Sequence, residues 1–216
     1  MKIGVIGANG NLGSRVTKQA LDCGYEVKAF VYQGQCPDQR AEYEDVNLFD
    51  LTKEQIQDLD VLISCFGGGF KADPIINQKA FEKYIDLLTN QKTKLITIAG
   101  AGSLYTDASH QQFEYASENH PEKLRGISKY IRLGVDLLQK DQSFPWIVVC
   151  PSRRFDLTGP FTGEYIIGNK EEIIFNKDGQ SYVTYDDLAK AMVDLSSDDT
   201  YLHQVITIAT KTIQRN

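Results

Sequence analysis

The stretch VIGANGNLGSRV, Val5 to Val16, carries Gly7, Gly10 and Gly13 at a spacing of three. Before it stands a short apolar run, KIGVIG (Lys2–Gly7), which reads as a buried strand. After it, Leu12, Val16, Ala20 and Cys23 recur at helical spacing, with Gly24 as the stop. Helix-weakening residues at such a junction imply a tight turn, or a backbone that something approaches closely. Both apply in a strand–loop–helix dinucleotide site. There the first glycine allows the turn, the second admits a pyrophosphate, and the third lets helix and strand pack. Unpaired amides and the positive end of the helix favour the phosphate charge. The stretch therefore predicts dinucleotide binding, with a purely structural turn in a non-binding α/β domain as the alternative.

The alternation of strand and helix continues to the end of the chain. YEVKAFVY (Tyr25–Tyr32) reads as the second strand, and a weaker third falls near Asp45–Phe49. VLISCFG (Val61–Gly67), KLITIAG (Lys94–Gly100), WIVVCPS (Trp146–Ser152) and VITIAT (Val205–Thr210) read as further strands. Thr52 and Gln55 form a capping box for a short helix. Longer helices are predicted from Asp73-Pro74, from Pro121 to about Asp141, and from Thr184, which caps YDDLAKAMVDL together with Asp187. Apolar, non-alternating strands between helices mean a parallel sheet covered on both faces. Right-handed crossovers make it doubly wound. The expected fold class is thus α/β, a doubly wound parallel sheet of the NAD(P)-binding Rossmann kind. Residues 1–216 are expected to form a single domain, with 153–180, rich in glycine and aromatic residues, as a small C-terminal substrate-side cap. Gly7, Gly67 and Gly100 fall at the carboxyl ends of strands, where the ligand crevice of such a fold lies.

Composition narrows the partners. A chain of 216 residues can bury a core without staples. Its net charge of −6 argues against nucleic acid or an anionic membrane. No apolar run approaches the ~20 residues of a membrane helix. Met1-Lys2-Ile3 leads into a strand rather than a signal peptide. Cys23, Cys36, Cys65 and Cys150 are irregularly spaced, and His110, His120 and His203 read as exposed loop residues, so no metal is expected. These features predict a cytoplasmic protein.

Four stretches carry a family resemblance: KIGVIGANGNLGSRV (2–16), LFDLTKEQIQDLDVLISCFG (48–67), TIAGAGSLYTD (97–107) and GQSYVTYDDLAKAMVDL (179–195). Through them nearly the whole chain resembles the extended and atypical branches of the short-chain dehydrogenase/reductase superfamily. More narrowly, it resembles the NmrA-like NAD(P)-binding proteins of the NADH-flavin reductase type. The resemblance implies that Gly7, Asn9, Gly10, Asn11 and Leu12 surround the pyrophosphate, with Gly13 completing the motif. It puts Asn47 and Leu48 beside the adenine, and Cys65, Phe66 and Gly67 along the adenosine ribose and phosphates. Ala99, Gly100 and Ala101 would lie nearer the nicotinamide, with Ser103 at the transfer site and Pro151 and Ser152 over the nicotinamide face. The implied activity is NAD(P)H-dependent oxidoreduction, by direct hydride transfer to a flavin or quinone-like acceptor. A non-catalytic NAD(P)-binding redox sensor of NmrA-like type is the alternative.

The second strand ends Val31-Tyr32-Gln33-Gly34, with neither the acid that binds a ribose 2′-hydroxyl nor the base that accepts a 2′-phosphate. With no acid to repel the phosphate, the reading leans to NADP over NAD. Arg15 is a candidate for that phosphate, against a solvated helix residue. Classical carbonyl reduction needs a tyrosine with lysine four residues later, and none of the eleven tyrosines has one. Flavin reduction escapes this requirement, because the flavin stabilises its own charge, so flavin is a candidate substrate. Ser103 and Tyr105 are the candidate catalytic residues. Against this, Ser103 reads equally as a turn cap, and Tyr105, like Phe155, as packing rather than stacking on a flat substrate. Arg153-Arg154 suits an anionic group, or pairing with Asp156 or Glu164. No G-x-S-x-G elbow or phosphate-binding G-x-x-x-x-G-K-[ST] occurs. The expected partner is a small-molecule redox acceptor; a homodimer is compatible with the sequence.

Overall fold

The computed structural model describes residues 1–213. Its strands are β1 (Lys2–Ile6), β2 (Glu26–Val31), β3 (Glu42–Asp45), β4 (Val61–Ser64), β5 (Lys94–Ile98), β6 (Trp146–Pro151), β7 (Arg154–Asp156), β8 (Tyr165–Gly168), β9 (Tyr182–Thr184) and β10 (Gln204–Thr210). Eight of them form one sheet in the order β3-β2-β1-β4-β5-β6-β10-β8, parallel except for β8, which runs antiparallel to β10. The winding direction reverses between β1 and β4, which opens a crevice at their carboxyl ends. The predicted doubly wound α/β architecture is the one observed.

The helices are α1 (Asn11–Asp22), α2 (Lys53–Ile56), α3 (Ile76–Leu88), α4 (Glu122–Leu138) and α5 (Tyr185–Asp194). Strand side chains alternate between faces, so each face has its own core. On one, Ile3, Val5, Ala29 and Ile63 meet Val16 and Ala20 of α1 and Leu188 and Met192 of α5. On the other, Phe30, Leu62, Leu95 and Val148 meet Phe81 and Leu88 of α3 and Val135 of α4. The helix starts follow their local signals. Thr52 and Gln55 make the reciprocal capping box, Asp73 accepts from the Ile75 amide, and the Thr184 hydroxyl accepts from the Asp187 amide at 3.0 Å.

The third strand differs from expectation: it spans Glu42–Asp45 and ends where Asp45–Phe49 was to begin. Asn47 terminates it by capping a 3₁₀ turn, Leu48–Asp50, accepting from the Phe49 amide at 3.0 Å. The strand itself, EYED, lies at the sheet edge and is largely exposed, so it carries no apolar signal. The segment 153–180 is divided. Its β7 pairs with β9 in a small parallel sheet, and its β8 extends the main sheet beyond β10.

Candidate functional site

The glycine turn is built by short range contacts. Gly7 has φ +71°, a left-handed conformation in which a side chain is strained. Its amide and that of Ala8 both donate to the Phe30 carbonyl, at 3.0 and 3.2 Å. Gly13 packs the helix onto this turn so closely that an added Cβ would stand 2.0 Å from the Gly7 oxygen. Gly10 precedes α1 without a side-chain cap, and the first turn of the helix carries no acid. The first-turn amides therefore face the crevice with the positive end of the helix behind them. Such a cradle fits a pyrophosphate, and Gly7, Asn9, Gly10, Asn11 and Leu12 are the residues that would hold it. The Asn9 side chain donates to the Gln33 carbonyl at 3.3 Å and ties the loop to the end of β2.

Two cavities open from the crevice and share Cys65, Phe66, Gly67 and Gly68. One, of about 480 Å³, is lined by Gly7, Asn9, Gly10, Tyr32, Val46, Asn47, Leu48 and Phe49. This brings together the residues expected around the adenosine. The other, of about 470 Å³, is lined by Asn11, Leu12, Ala99, Phe155 and Tyr185, and by Leu124, Ile127 and Ile131 of α4. Among the described residues lining it, none is charged. Phe155 and Tyr185 stack at its edge, centroids 3.7 Å apart and nearly parallel. Tyr84 lies in its wall, with its hydroxyl 2.6 Å from Ser64 Oγ. Burial pushes both the Tyr84 phenol and the Cys65 thiol upward, so each stays neutral.

Other expected residues lie elsewhere. Ser103 is fully buried; its hydroxyl donates to the Gly100 carbonyl at 2.7 Å, closing the 3₁₀ turn Ala101–Ser103 after β5. Tyr105 is stacked between His110 and Phe113, at 4.2 and 4.3 Å, and its backbone binds Glu171 and Ile173. Neither is among the residues lining the two cavities. Gly100 and Ala101 follow β5 and Pro151 ends β6, and none of the three lines either cavity. The Ser152 hydroxyl donates to the Ile208 carbonyl. Arg15 is engaged by Asp186 at 3.0 Å and by the carbonyls of Asn11 and Leu157, none of them at the end of β2.

Two expectations outside the crevice are corrected. His120 is buried rather than exposed, with Nε2 3.1 Å from Ser128 Oγ, because the loop before α4 folds back onto that helix. Arg153 pairs with neither Asp156 nor Glu164 but grips buried Glu114 with two nitrogens, at 2.9 and 2.7 Å. Arg154 does pair with Asp156.

Sequence reasoning missed Phe70, Asn77, Tyr84, Tyr185 and the α4 row as cavity wall. The spacing of Leu124, Ile127 and Ile131 marks one face of a helix, but a face toward a cavity and a face toward a core have the same periodicity.

Residues 7–199 match the NAD(P)H-binding family model. YwnB of Bacillus subtilis is 31% identical over 196 residues, 90% of this chain and 91% of its own. A crystal structure from Streptococcus pneumoniae, described as "a putative NADH-flavin reductase", superposes with a TM-score of 0.92 at 30% identity, covering 98% of this chain and 100% of that one. ChuY of Escherichia coli O157:H7, named an anaerobilin reductase, shares the fold across all of both chains, with a TM-score of 0.72 at 16% identity. With a glycine turn at the switch point of a doubly wound sheet and a family-model match over residues 7–199, this chain belongs to the NAD(P)H-binding family.

Proposed function

We propose that this protein is an NAD(P)H-dependent oxidoreductase acting on a planar, flavin or quinone-like acceptor, with residues 1–216 as one domain and 153–180 as its substrate-side part. The observation that carries the reading is the pair of cavities meeting at Cys65–Gly68, one framed by the glycine loop and the other uncharged and aromatic-walled. The description of the pneumococcal relative, at 30% identity, supports the same reading.

When bound, the nicotinamide cofactor supplies the hydride. The chain's own contribution is alignment and exclusion of water. The first-turn amides of α1 would hold the diphosphate, and Cys65–Gly68, which line both cavities, would lie along the ligand where they meet. Ile127 and Ile131 from α4, with Phe155 and Tyr185 from the opposite side, enclose a flat ring. No charged acid or base lines this cavity among the described residues, so it suits an acceptor that stabilises its own added charge. Ser103 and Tyr105 contribute by shaping the loop after β5.

That Ser103 and Tyr105 stand outside both cavities also favours one second reading, a dinucleotide-binding regulator without turnover. Purified protein mixed with NADH or NADPH and with FMN, FAD or a quinone separates the two. Loss of reduced-nicotinamide absorbance supports the reductase. Tight cofactor binding without turnover on any acceptor supports the regulator.

A further inference from the structure

The corner where β2 meets β3 holds an acid that adjacency in the sequence does not reveal. Parallel pairing sets Val31 beside Asp45, the last residues of the two strands. Beyond Val31 the chain turns sharply: Gln33 has φ +56° and Gly34 φ +147°. A left-handed glutamine is uncommon and needs to be held. Two contacts hold it. The Gln33 amide donates to Asp45 Oδ1 at 3.3 Å, and Asn9 of the glycine loop donates to the Gln33 carbonyl at 3.3 Å. Glycine suits position 34 because its φ of +147° is one that other residues rarely adopt.

The carboxylate of Asp45 thus stands at the end of β2, the place where an acid selects a ribose hydroxyl in a dinucleotide site. Asp45 is exposed and stands outside the cavity lining, but Tyr32 and Val46, its neighbours in space and in sequence, both line the adenosine-side cavity. Nearby cations are already committed. Lys28 pairs with Glu44, Arg40 with Asp38 and Asp22, and Arg15 with Asp186. Among the described residues no lysine or arginine lines this cavity, and none pairs with Asp45.

We infer that Asp45 selects the cofactor, favouring NADH and opposing the 2′-phosphate of NADPH. This reverses the preference suggested by the carboxyl end of β2 alone, Val31-Tyr32-Gln33-Gly34, where no acid is written. It rests on the cofactor position proposed above, with the diphosphate at the start of α1. A 2′-phosphate at this corner meets an uncompensated negative charge; a 2′-hydroxyl meets an acceptor, the Oδ2 atom that Gln33 leaves free.

Fluorescence titration of the full chain with NADH and with NADPH tests this. Wild type is expected to bind NADH at least about tenfold more tightly, a gap that narrows as salt is raised. Asp45→Asn keeps an oxygen for the Gln33 amide and removes the charge. It is expected to tighten NADPH about tenfold while NADH changes little. Tyr32→Arg leaves Asp45 in place and adds a cation at the rim, where Tyr32 is exposed; it too should shift the ratio toward NADPH. Wild type binding NADPH as tightly as NADH, or a folded Asp45→Asn protein with an unchanged ratio, would overturn the inference alone. Binding of neither dinucleotide would overturn it together with the cofactor position. Failure of every acceptor to be reduced would strike the proposed activity and leave these affinities decisive.

Discussion

Gly13 and Gly7 touch backbone to backbone: the place of a Cβ on Gly13 is 2.0 Å from the Gly7 carbonyl oxygen and 2.7 Å from its carbon. Neither partner has a flexible side chain that could yield. A methyl at Gly13 must therefore drive α1 off the end of β1, and the junction between them is the proposed pyrophosphate cradle. Gly13→Ala is expected to destabilise the fold by about 1–3 kcal/mol, the range of overpacked cores, and to weaken dinucleotide binding. Urea unfolding and fluorescence titration check the two effects. A variant as stable as wild type would show that the helix start is free to move.

Gly10 is the residue at which charge rather than packing should decide. Its added Cβ would lie 3.2 Å from the Gly7 oxygen, tight but tolerable with a small shift. An aspartate there puts a negative group where we propose that the phosphates bind. Gly10→Asp should weaken both NADH and NADPH by about a hundredfold or more, the sum of repulsion and blockage, with a nearly unchanged melting temperature. Unchanged affinity in the folded variant would remove the cradle from α1.

Phe155 and Tyr185, stacked 3.7 Å apart, form an aromatic wall of the uncharged cavity in which we place the acceptor. An aromatic contact of this kind contributes about 0.5–1.5 kcal/mol. Phe155→Ala should therefore raise the acceptor KM up to about tenfold and leave the cofactor Kd unchanged, while Phe155→Tyr restores it. If the alanine variant loses stability but keeps its KM, the pair is packing only.

His120 gives the fold a pH dependence of predictable sign. Desolvation, the largest influence on it, holds its pKa below the ordinary 6.5, and the charge of Arg125 adds to this against the opposing pull of Glu114. The unfolded chain thus takes up a proton at a higher pH than the folded one. Stability from this group is complete above pH 6.5 and falls as pH drops from there toward the folded pKa. Denaturant unfolding between pH 7.5 and about 5 should show the decline. His120→Gln should flatten it. An equal slope in the variant would assign the decline to other groups.

Much of the fold could be read from local signals. The glycine turn, the Thr52–Gln55 box and the Thr184–Asp187 cap each lie within a few residues, and each formed as written. β3 was misplaced because an exposed edge strand needs no apolar run, and EYED carries none. That Gly7, Gly10, Asn47, Leu48 and Cys65–Gly67 would meet at one crevice was legible because they lie at or just beyond strand ends, where topology follows from the alternation of elements. Phe70, Tyr84 and Ile131 were not, since a side chain in a cavity wall and one in a core have the same character.

The sequence alone determined a strand–glycine–helix unit at the N-terminus and a parallel sheet built around it, because turns, caps and periodicity act between near neighbours. Only the tertiary structure decided which side chains the crevice meets. It closed Ser103 onto the Gly100 carbonyl, committed Arg15 to Asp186, and set Asp45 against the Gln33 amide across the β2–β3 register. The physical reason is range. Backbone conformation is chosen within a turn or two of chain, whereas the charge and shape at a strand end depend on the neighbouring strand, which any number of intervening residues can separate in sequence.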